Sequence, residues 1–309
     1  NPNPPKVLLH LYGGENTGFA SSNNLVVSNG YAPNSSSTGA NGVAGDDTLT
    51  VSNAGAFNSG DHVLIYQTVG NDPGHWELNA VQAINGNSLK LARNLEHSYQ
   101  DEGNSTRRAQ VVIASSYDNF EVINGGSVYP NKGLDQGADH GGFVYIRART
   151  ISVKAGGTIQ ANGYGFRQGN DWDGWYDWGD AGDSECSTDQ DTNNTSNNCS
   201  GGGGAYAHSC CCGSNNYGAG GGGNRTAGQT GKYDNCNCEQ GGQGGGTKGD
   251  ESGNELHFGG GGGAAYCGGA AGGGIVVLGA ETIIVESGGT ISANGDNGGG
   301  CCHSAGGGG

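Results

Sequence analysis

Residues 141–163 read GGFVYIRARTISVKAGGTIQANG, and residues 273–295 read GGIVVLGAETIIVESGGTISANG, about 132 residues further along the chain. The two stretches align without a gap, and both end in the turn sequence GGTI-x-ANG. Repetition of a strand-rich unit at a long interval is typical of stacked repeat architectures. The pair therefore predicts β-solenoid-like strand units, with a stacked β-meander as the alternative.

The first copy shows how such a unit would be built. Its apolar and β-branched runs predict three short strands at Phe143–Ile146, Thr150–Val153 and Thr158–Ile159. Tight turns rich in glycine separate these strands. Between the two copies lies an insert at 164–272 that is rich in Gly, Cys, Asn and Asp and almost free of aliphatic residues.

Glycine supplies 67 of the 309 residues, several times the average usage of about 7%. Runs such as 201–204, 220–223 and 259–263 carry no side chains that could fill a hydrophobic core. Glycine can adopt the extended polyproline II helix, which has three residues per turn and no internal hydrogen bonds. Because each buried N–H and C=O needs a partner, close-packed helices of this kind can bond to one another. We predict a polyglycine II-like bundle here; a flexible linker and disorder are the alternatives.

The predicted fold class is all-β, because no segment shows a sustained helical period. Residues 1–45 are expected to form an N-terminal extended or strand segment, and residues 46–135 a small antiparallel β-barrel or sandwich. Residues 136–309 are expected to form a glycine-rich, disulfide-stapled strand-repeat region around the insert. The clearest turn signal is Asn85-Gly86-Asn87, which predicts a type I′ hairpin.

The chain carries 29 Asp and Glu against 13 Lys and Arg, a formal net charge of −16. Nucleic acid is not expected as a partner, because binding requires gathered cations that displace phosphate counterions. No apolar run reaches the roughly 18 residues that a membrane helix needs, so membrane insertion is not expected. The negative charge fits solubility and cation binding.

All ten cysteines follow residue 185. We predict disulfides within and between subunits, formed in an oxidising compartment after secretion. The proline-rich start at Asn1, without Met, is expected of a processed chain. Thiolates near His208 and His303 could instead bind zinc or copper, although no Cys-x-x-Cys pair is present. The cysteines predicted to form disulfides are Cys186, Cys199, Cys210, Cys211, Cys212, Cys236, Cys238, Cys267, Cys301 and Cys302.

An acidic and aromatic patch at 170–180 is the most pointed candidate site. Carboxylates spaced by two residues before a glycine fit the start of a calcium loop, so Ca²⁺ is the one candidate cofactor, although the closing Glu of an EF-hand is missing. The aromatic side chains could stack on the sugar rings of a surface glycan. They could equally cover the end of a β-unit or a subunit contact. The candidate calcium ligands are Asp171, Asp173, Asp177 and Asp180, and the candidate glycan-binding residues are Trp172, Trp175, Tyr176 and Trp178.

The apolar run Lys6–Tyr12 predicts a strand near the N-terminus. Such a strand can pair within its own sheet or reach into a neighbouring chain. The residues expected to join subunits are Val7, Leu8, Leu9 and Leu11, with Cys301-Cys302 as a covalent lock.

No pattern in the sequence indicates catalysis. The nucleophile motif Gly-x-Ser-x-Gly is absent, and Asp/Glu pairs are too common here to identify a glycosidase site. We therefore expect a protein that is not an enzyme, with a secreted β-helix enzyme acting on polysaccharide as the alternative.

Several motifs between Thr48 and Gly169 carry a resemblance. They are the turn Phe57-Asn58-Ser59-Gly60-Asp61, the stretch Tyr117-Asp118-Asn119-Phe120, the GGTI turn and the ending Gly165-Phe166-Arg167. This part resembles a module of large bacterial surface and secreted adhesin-like proteins. The glycine-rich part resembles phage tail-tip adhesins built on packed polyglycine helices. Together the resemblances cover about two-thirds of the chain and imply a cell-surface role, but the dense cysteines depart from both patterns.

These observations favour an extracellular structural protein, a self-associating subunit of a filament, sheath or surface fibre. In that hypothesis strands pair, polyglycine segments pack, and disulfides restrict the unfolded chain. The alternative hypothesis is an adhesin tip that binds surface glycans, with or without Ca²⁺.

Overall fold

The computed structural model describes residues 8–10, 23–33, 37–103, 106–133, 140–170, 180–186, 199–205, 219–231, 241–249, 253–264, 268–298 and 308. These residues form β-strands and, within the same ranges, no helix, so the all-β prediction is confirmed. The strands are β1 Leu8–His10, β2 Asn24–Val27, β3 Gly30–Tyr31, β4 Ser37–Asn41, β5 Thr48–Val51, β6 His62–Val69, β7 Trp76–Asn85, β8 Ser88–Leu91, β9 Arg108–Ile113, β10 Ser115–Val122, β11 Ser127–Val128, β12 Phe143–Val153, β13 Thr158–Gln160, β14 Ile275–Val285 and β15 Thr290–Ser292.

Two parallel sheets form the body that we call the strand stack. One sheet has the order β1-β14-β12-β10-β2, and the other has the order β15-β13-β11-β3. Each layer contains one strand from each sheet, joined by a short turn, so the four layers are β2/β3, β10/β11, β12/β13 and β14/β15. This is the β-solenoid-like arrangement that the repeated sequence predicts.

The two copies that match in sequence lie next to each other in the stack. Phe143 pairs with Ile275, Val153 with Val285, and Ile159 with Ile291, so the sequence alignment and the strand register are the same. The structure joins 143–153 into one eleven-residue strand instead of two short ones. The reason is that β10 and β14 flank this strand along most of its length and leave no room for a break.

The interior of the stack is a ladder of aliphatic side chains, because alternate residues of every strand point to the same side. Val122, Val153 and Ile151 are fully buried there, together with Phe120 and Ile159. The turns that follow the long strands are tight: Gly156 and Gly288 adopt positive φ angles of 77° and 88°. Glycine takes that conformation without strain, which explains the first glycine of each shared Gly-Gly pair, and a Cβ on the second would overlap a carbonyl of the neighbouring layer.

A closed antiparallel barrel, with the strand order β4-β5-β8-β7-β6-β9, is inserted between β3 and β10. Its interior is filled by buried apolar side chains, including Leu49, Val63, Leu89 and Val111. The predicted hairpin is present, because Asn85 pairs with Ser88 across the two-residue turn. The predicted turn type is wrong: Gly86 has a positive φ of 59° but Asn87 does not, so the turn follows the type II′ pattern and not type I′, which needs positive φ at both residues. The predicted barrel is therefore observed as a closed barrel rather than a sandwich.

Strand pairing runs across the three predicted segments. The layer β2/β3 comes from residues 1–45 and stacks on β10/β11 from residues 46–135, which in turn stacks on β12/β13 from 136–309. The barrel strands lie within 37–113. The division of the chain at those boundaries stays a prediction.

A set of extended glycine segments, which we call the glycine array, is inserted between β13 and β14 and is joined by residue 308, which follows β15. Its described parts are 165–170, 180–186, 199–205, 219–231, 241–249, 258–264, 268–274 and 308. They contain no α-helix or named strand, but their backbone groups bond extensively from one segment to the next. The last of the long segments leads directly into β14, which attaches the array to the strand stack.

Candidate functional site

The segment Phe258–Ala264 is the best defined part of the glycine array. Its six backbone N–H groups from Gly259 to Ala264 all donate to carbonyl oxygens of other segments, with N···O distances of 2.8 to 3.0 Å. Donors three residues apart share an acceptor segment. Gly259 and Gly262 donate to 268–274, Gly260 and Gly263 donate to 219–224, and Gly261 and Ala264 donate to 180–186. Every third residue therefore faces the same neighbour.

The carbonyl oxygens of this segment repeat the same period. The pairs again share a partner, with Gly259 and Gly262 accepting from 165–170, Gly261 and Ala264 from 199–205, and Gly260 from Gly308. A backbone that returns to the same direction every three residues is the polyproline II helix. The segment is thus a polyglycine II-like helix that bonds to six surrounding segments.

Glycine is required at these positions by the close approach of the backbones. A Cβ added at Gly259, Gly260 or Gly261 would overlap the carbonyl group of Gly308, Ser200 or Arg167 respectively. The same overlap occurs at Gly202 and Gly220 in neighbouring segments, so the requirement for glycine extends beyond the central helix. The glycine runs are therefore a packing requirement.

Phe258, at the start of the central segment, fastens the array to the rest of the molecule. Its ring makes edge contacts with Tyr66 of the barrel, Phe143 of the strand stack and Phe166 of the array, at centroid separations of 5.1 to 5.8 Å. The Tyr66 hydroxyl donates a 2.9 Å hydrogen bond to the Leu256 carbonyl. Burial raises the pKa of this phenol well above its ordinary value, so it remains a donor.

A disulfide and buried carboxylates hold two further segments of the array. Cys186 and Cys199 form a disulfide, and the Cys199 carbonyl accepts from the Gly246 amide at 2.6 Å. The neighbouring carboxylate of Glu185 is buried and accepts a 2.6 Å hydrogen bond from the Ser200 hydroxyl. The Lys248 ammonium lies 3.8 Å from its other oxygen. Covalent and charged contacts therefore supplement the glycine amides at this point.

A second charged pair ties the first two glycine segments together. The Asp183 carboxylate is buried and lies 3.1 Å from the Arg167 guanidinium nitrogen Nε. The Asp183 amide also donates to the Arg167 carbonyl at 2.8 Å. Buried charges need partners of this kind, because leaving water without one is costly.

Histidines and a glutamate meet where the barrel faces residues 253–258. The rings of His75 and His97 stack with a centroid separation of 4.3 Å. Glu255 lies 3.9 Å from His75 Nε2 and 3.1 Å from Nε2 of the buried His257. The cluster is a polar joint between barrel and array.

Among the described residues, one group lies close enough together to share a metal ion: Glu185, Cys186 and Cys199. Its two sulfurs are joined to each other in the disulfide. The alternative of zinc or copper on these two thiolates does not fit this state, because a metal needs the free thiolate. The same alternative for the other eight cysteines lies outside the described residues.

The two ends of the strand stack form the remaining candidate site. Sheet edges carry unpaired N–H and C=O groups and are ready templates for another strand. At one end is β2/β3, and at the other is β14/β15, on which β1 covers only Val277–Gly279. Exposed apolar side chains lie at both ends: Val26 is 55% exposed, and Ile284 and Val285 are each 46% exposed.

The structure describes a minority of the residues that the sequence singles out. Cys186 and Cys199 are paired, and Asp180 accepts a backbone hydrogen bond from Ala264 in the array. Leu8 and Leu9 pair in parallel with Val277 and Leu278 of the same chain, so β1 uses one of its edges internally. Its use in joining subunits stays a prediction. The predicted residues outside the described ranges are Val7, Leu11, Asp171, Trp172, Asp173, Trp175, Tyr176, Asp177, Trp178, Cys210, Cys211, Cys212, Cys236, Cys238, Cys267, Cys301 and Cys302.

Sequence reasoning missed Phe258, Glu185 and Lys248. The signal for Phe258 is its position as an isolated aromatic residue directly before a run of five glycines. Nothing in the sequence marks Glu185 among the other acidic residues, because its partner Lys248 lies far along the chain.

No protein-family model matches the chain, and no curated protein matches it. Among solved structures, it is similar to the gp54 tailspike of Acinetobacter baumannii bacteriophage AP22, solved in complex with A. baumannii capsular saccharide (14% identity, TM-score 0.22, 43% of this chain and 26% of that chain covered). It is also similar to the tailspike gp49 of Pseudomonas phage LKA1 (18%, 0.21, 45% and 23%) and to the tailspike gp61 of Pseudomonas phage phi297 (17%, 0.20, 42% and 26%). The match spans about a quarter of those chains, and likenesses this remote indicate no function.

Within the described ranges, no helix is long and apolar enough to cross a membrane.

Proposed function

We propose that this chain is an extracellular structural subunit that assembles with copies of itself into a filament, sheath or surface fibre. The observation that carries the proposal is the central helix 258–264, whose amides and carbonyls bond in six directions. Such an array gains rigidity from its main chain and needs no pocket, no cofactor and little apolar side chain. That is a construction suited to a mechanical role.

The disulfide supports an extracellular location. Disulfides persist in oxidising compartments and are rare in reducing ones. Cys186 and Cys199 close a covalent loop within the array, and eight further cysteines are available in the sequence for links within or between subunits. Cross-links of that kind would make an assembled fibre resistant to unfolding.

The strand stack supports self-assembly. A stack of parallel strands can grow by adding layers at its ends, since each layer contacts only its neighbours. Among the described residues, both ends of the stack keep exposed apolar side chains. The proposal assigns no catalytic residue.

Negative-stain electron microscopy of the purified chain tests this function. We expect polymers of constant width whose length grows with protein concentration. If cysteines link the subunits, gel electrophoresis without reductant should show a ladder of bands. On reduction the ladder should collapse to a single band at the monomer mass of 30.9 kDa.

The contrary result is a chain that stays monomeric at every concentration. If that monomer bound a surface glycan, and Trp175→Ala abolished the binding, the adhesin-tip alternative would replace the fibre. Phe19→Ala, at another aromatic residue that lies far from the patch in sequence, serves as the control for that substitution.

A further inference from the structure

The strand β14 has an unfilled place along its outer edge. It spans Ile275–Val285, but β1 pairs only with Val277, Leu278 and Gly279. In the described part of the chain, no strand pairs with Thr282–Val285 on the side away from β12. Within the described ranges, half of this terminal layer is therefore covered and half is open.

The strand β2 has the complementary shape at the opposite end. It pairs with Asn119–Val122 of β10, and these residues are in register with 150–153 of β12 and 282–285 of β14. A copy of β2 placed on β14 in the same register would therefore occupy the half that β1 leaves open. The two short strands together would complete one layer.

The side chains along this register match as well. The inward positions carry Val27, Val122, Val153 and Val285 in one row, and of these only Val285 is exposed. A second layer of β2 would bury it as the inner valines are buried.

The outward row is more informative. Its inner members are polar, Glu121 and Ser152, whereas its two end members are Val26 and Ile284. Those two apolar side chains are exposed in a single chain. Placing one copy on the next would bring them together.

Over the four residues that would pair, neither edge carries the features that normally prevent strand addition. Edge strands are usually protected by charged residues or proline. The sequences here are Asn-Leu-Val-Val at 24–27 and Thr-Ile-Ile-Val at 282–285, with no charge and no proline. No like charges would oppose each other within the new ladder.

In the described residues, the second sheet ends in the same register. Gly30 and Tyr31 of β3 align, through β11 and β13, with Thr290 and Ile291 of β15. An added copy would therefore continue both sheets at once, which a chance contact between two strands would not do.

We propose that the β14/β15 end of one chain takes the β2/β3 end of a second copy, in parallel and in register, with Val26 of the added copy next to Ile284. This surface deepens the proposed function and rests on it. The contact is head-to-tail and continues the stack along its own axis, so repeated addition generates a polar filament.

Two complementary substitutions test the surface. Val26→Glu alters only the β2 end, and Ile284→Glu alters only the β14 end. Each variant alone should raise the concentration needed for polymerisation by at least about tenfold, because a carboxylate would be buried in an apolar contact. Mixed in equal amounts, the two variants should form dimers through their intact ends and stop there, as measured by mass photometry or sedimentation.

The matched control is Val43→Glu, which places the same charge on an exposed valine of the barrel, 61% exposed and distant from both edges in sequence. It should polymerise like the unaltered chain, and circular dichroism should show that all three variants are folded. Polymers of the unaltered chain that ignore Val26→Glu and Ile284→Glu, or that Val43→Glu disrupts equally, would overturn this surface and leave the fibre function standing. An unaltered chain that never polymerises would overturn the function itself.

Discussion

The barrel and the glycine array solve the same problem with different atoms. The barrel closes a sheet on itself and fills the inside with side chains such as Leu49, Val63 and Leu89. The array closes a hydrogen-bond network around a helix that has almost no side chains at all. In the barrel the backbone is a frame for apolar packing, whereas in the array the backbone is itself the packing.

The difference teaches where each region tolerates change. A barrel side chain can be replaced by another of similar volume at small cost. A close-packed glycine of the array, such as Gly261, has no such substitute, because the smallest addition, one methyl group, already overlaps a neighbouring carbonyl. The stability of the array should therefore fall when a methyl group is added, whereas the stability of the barrel should fall when side-chain volume is removed.

The largest effect is expected from Gly261→Ala. Its Cβ would overlap the Arg167 carbonyl and displace a whole segment, so the free energy of opening at the amides of 259–264 should fall by about 3 kcal/mol. Hydrogen exchange at those amides measures the change. The control is Gly55→Ala, whose nearest neighbour is the Asn53 side-chain oxygen at 3.1 Å, which can move. Equal protection in both variants would mean that the array is not close-packed.

Leu89→Ala makes the reverse change in the barrel. Removing a fully buried side chain leaves a cavity, and the barrel amides should lose about 3 kcal/mol of protection. The volume-conserving control Leu89→Met should cost less than about 1.5 kcal/mol. Protection of the array should not change in either variant; a parallel loss there would show that the two regions unfold as one unit.

Cys186→Ala with Cys199→Ala removes the covalent link from the array. The cysteines are 13 residues apart in sequence, and closure of a loop of that size is worth about 2 to 3 kcal/mol. The loss should appear in hydrogen exchange of 199–205 and 241–249 and should be absent from the barrel. An unaltered array would mean that its amide network is sufficient without sulfur.

The smallest effect is expected from His62→Gln in the barrel. Burial and the nearby Arg147 guanidinium lower the pKa of His62 to about 4. Below pH 6.5 the unfolded chain takes up a proton that the folded chain refuses, so stability contributed by the neutral imidazole is complete above pH 6.5 and is lost as the pH falls towards 4. Allowing for solvent screening, the loss is about 1 kcal/mol.

The glutamine variant should lack this slope between pH 6.5 and 4. Burial raises the pKa of Glu77, which shifts barrel stability in the opposite direction, but that contribution is common to both chains and cancels in the difference. Denaturant titrations of the two chains at several pH values measure it. The same slope in both chains would mean that His62 is solvated in the folded state.

Half of the strand stack could be predicted from sequence. The layers β12/β13 and β14/β15 are visible because they share both apolar spacing and the Gly-Gly turn. The layer β10/β11 carries a shorter version of the same signal at 120–128, including the pair Gly125-Gly126, whereas β2/β3 lacks the Gly-Gly pair and shares only its apolar spacing, so these two layers are harder to recognise. The barrel hairpin was predictable from its turn, but closure depends on β4 meeting β9, a contact far apart in the chain.

The sequence predicts that the glycine segments pack as polyglycine II-like helices, but it does not predict which segments lie next to one another. Composition indicates that the segments must bond to one another, yet glycine carries no side chain to identify its neighbour. The contact between Gly260 and Gly223, for example, has no trace in either sequence. For the same reason the pairing of Cys186 with Cys199 follows from the fold and not from their spacing.

The central helix 258–264 has a reading frame. The backbone amides of this helix point in three directions, each towards a different acceptor segment. Deleting or inserting one residue would therefore rotate every following amide by about 120° and direct it to the wrong segment. Only a change of three residues restores the original hydrogen-bond partners. Insertions and deletions inside these glycine runs should therefore come in multiples of three residues, because the number of residues alone decides which neighbour each amide reaches.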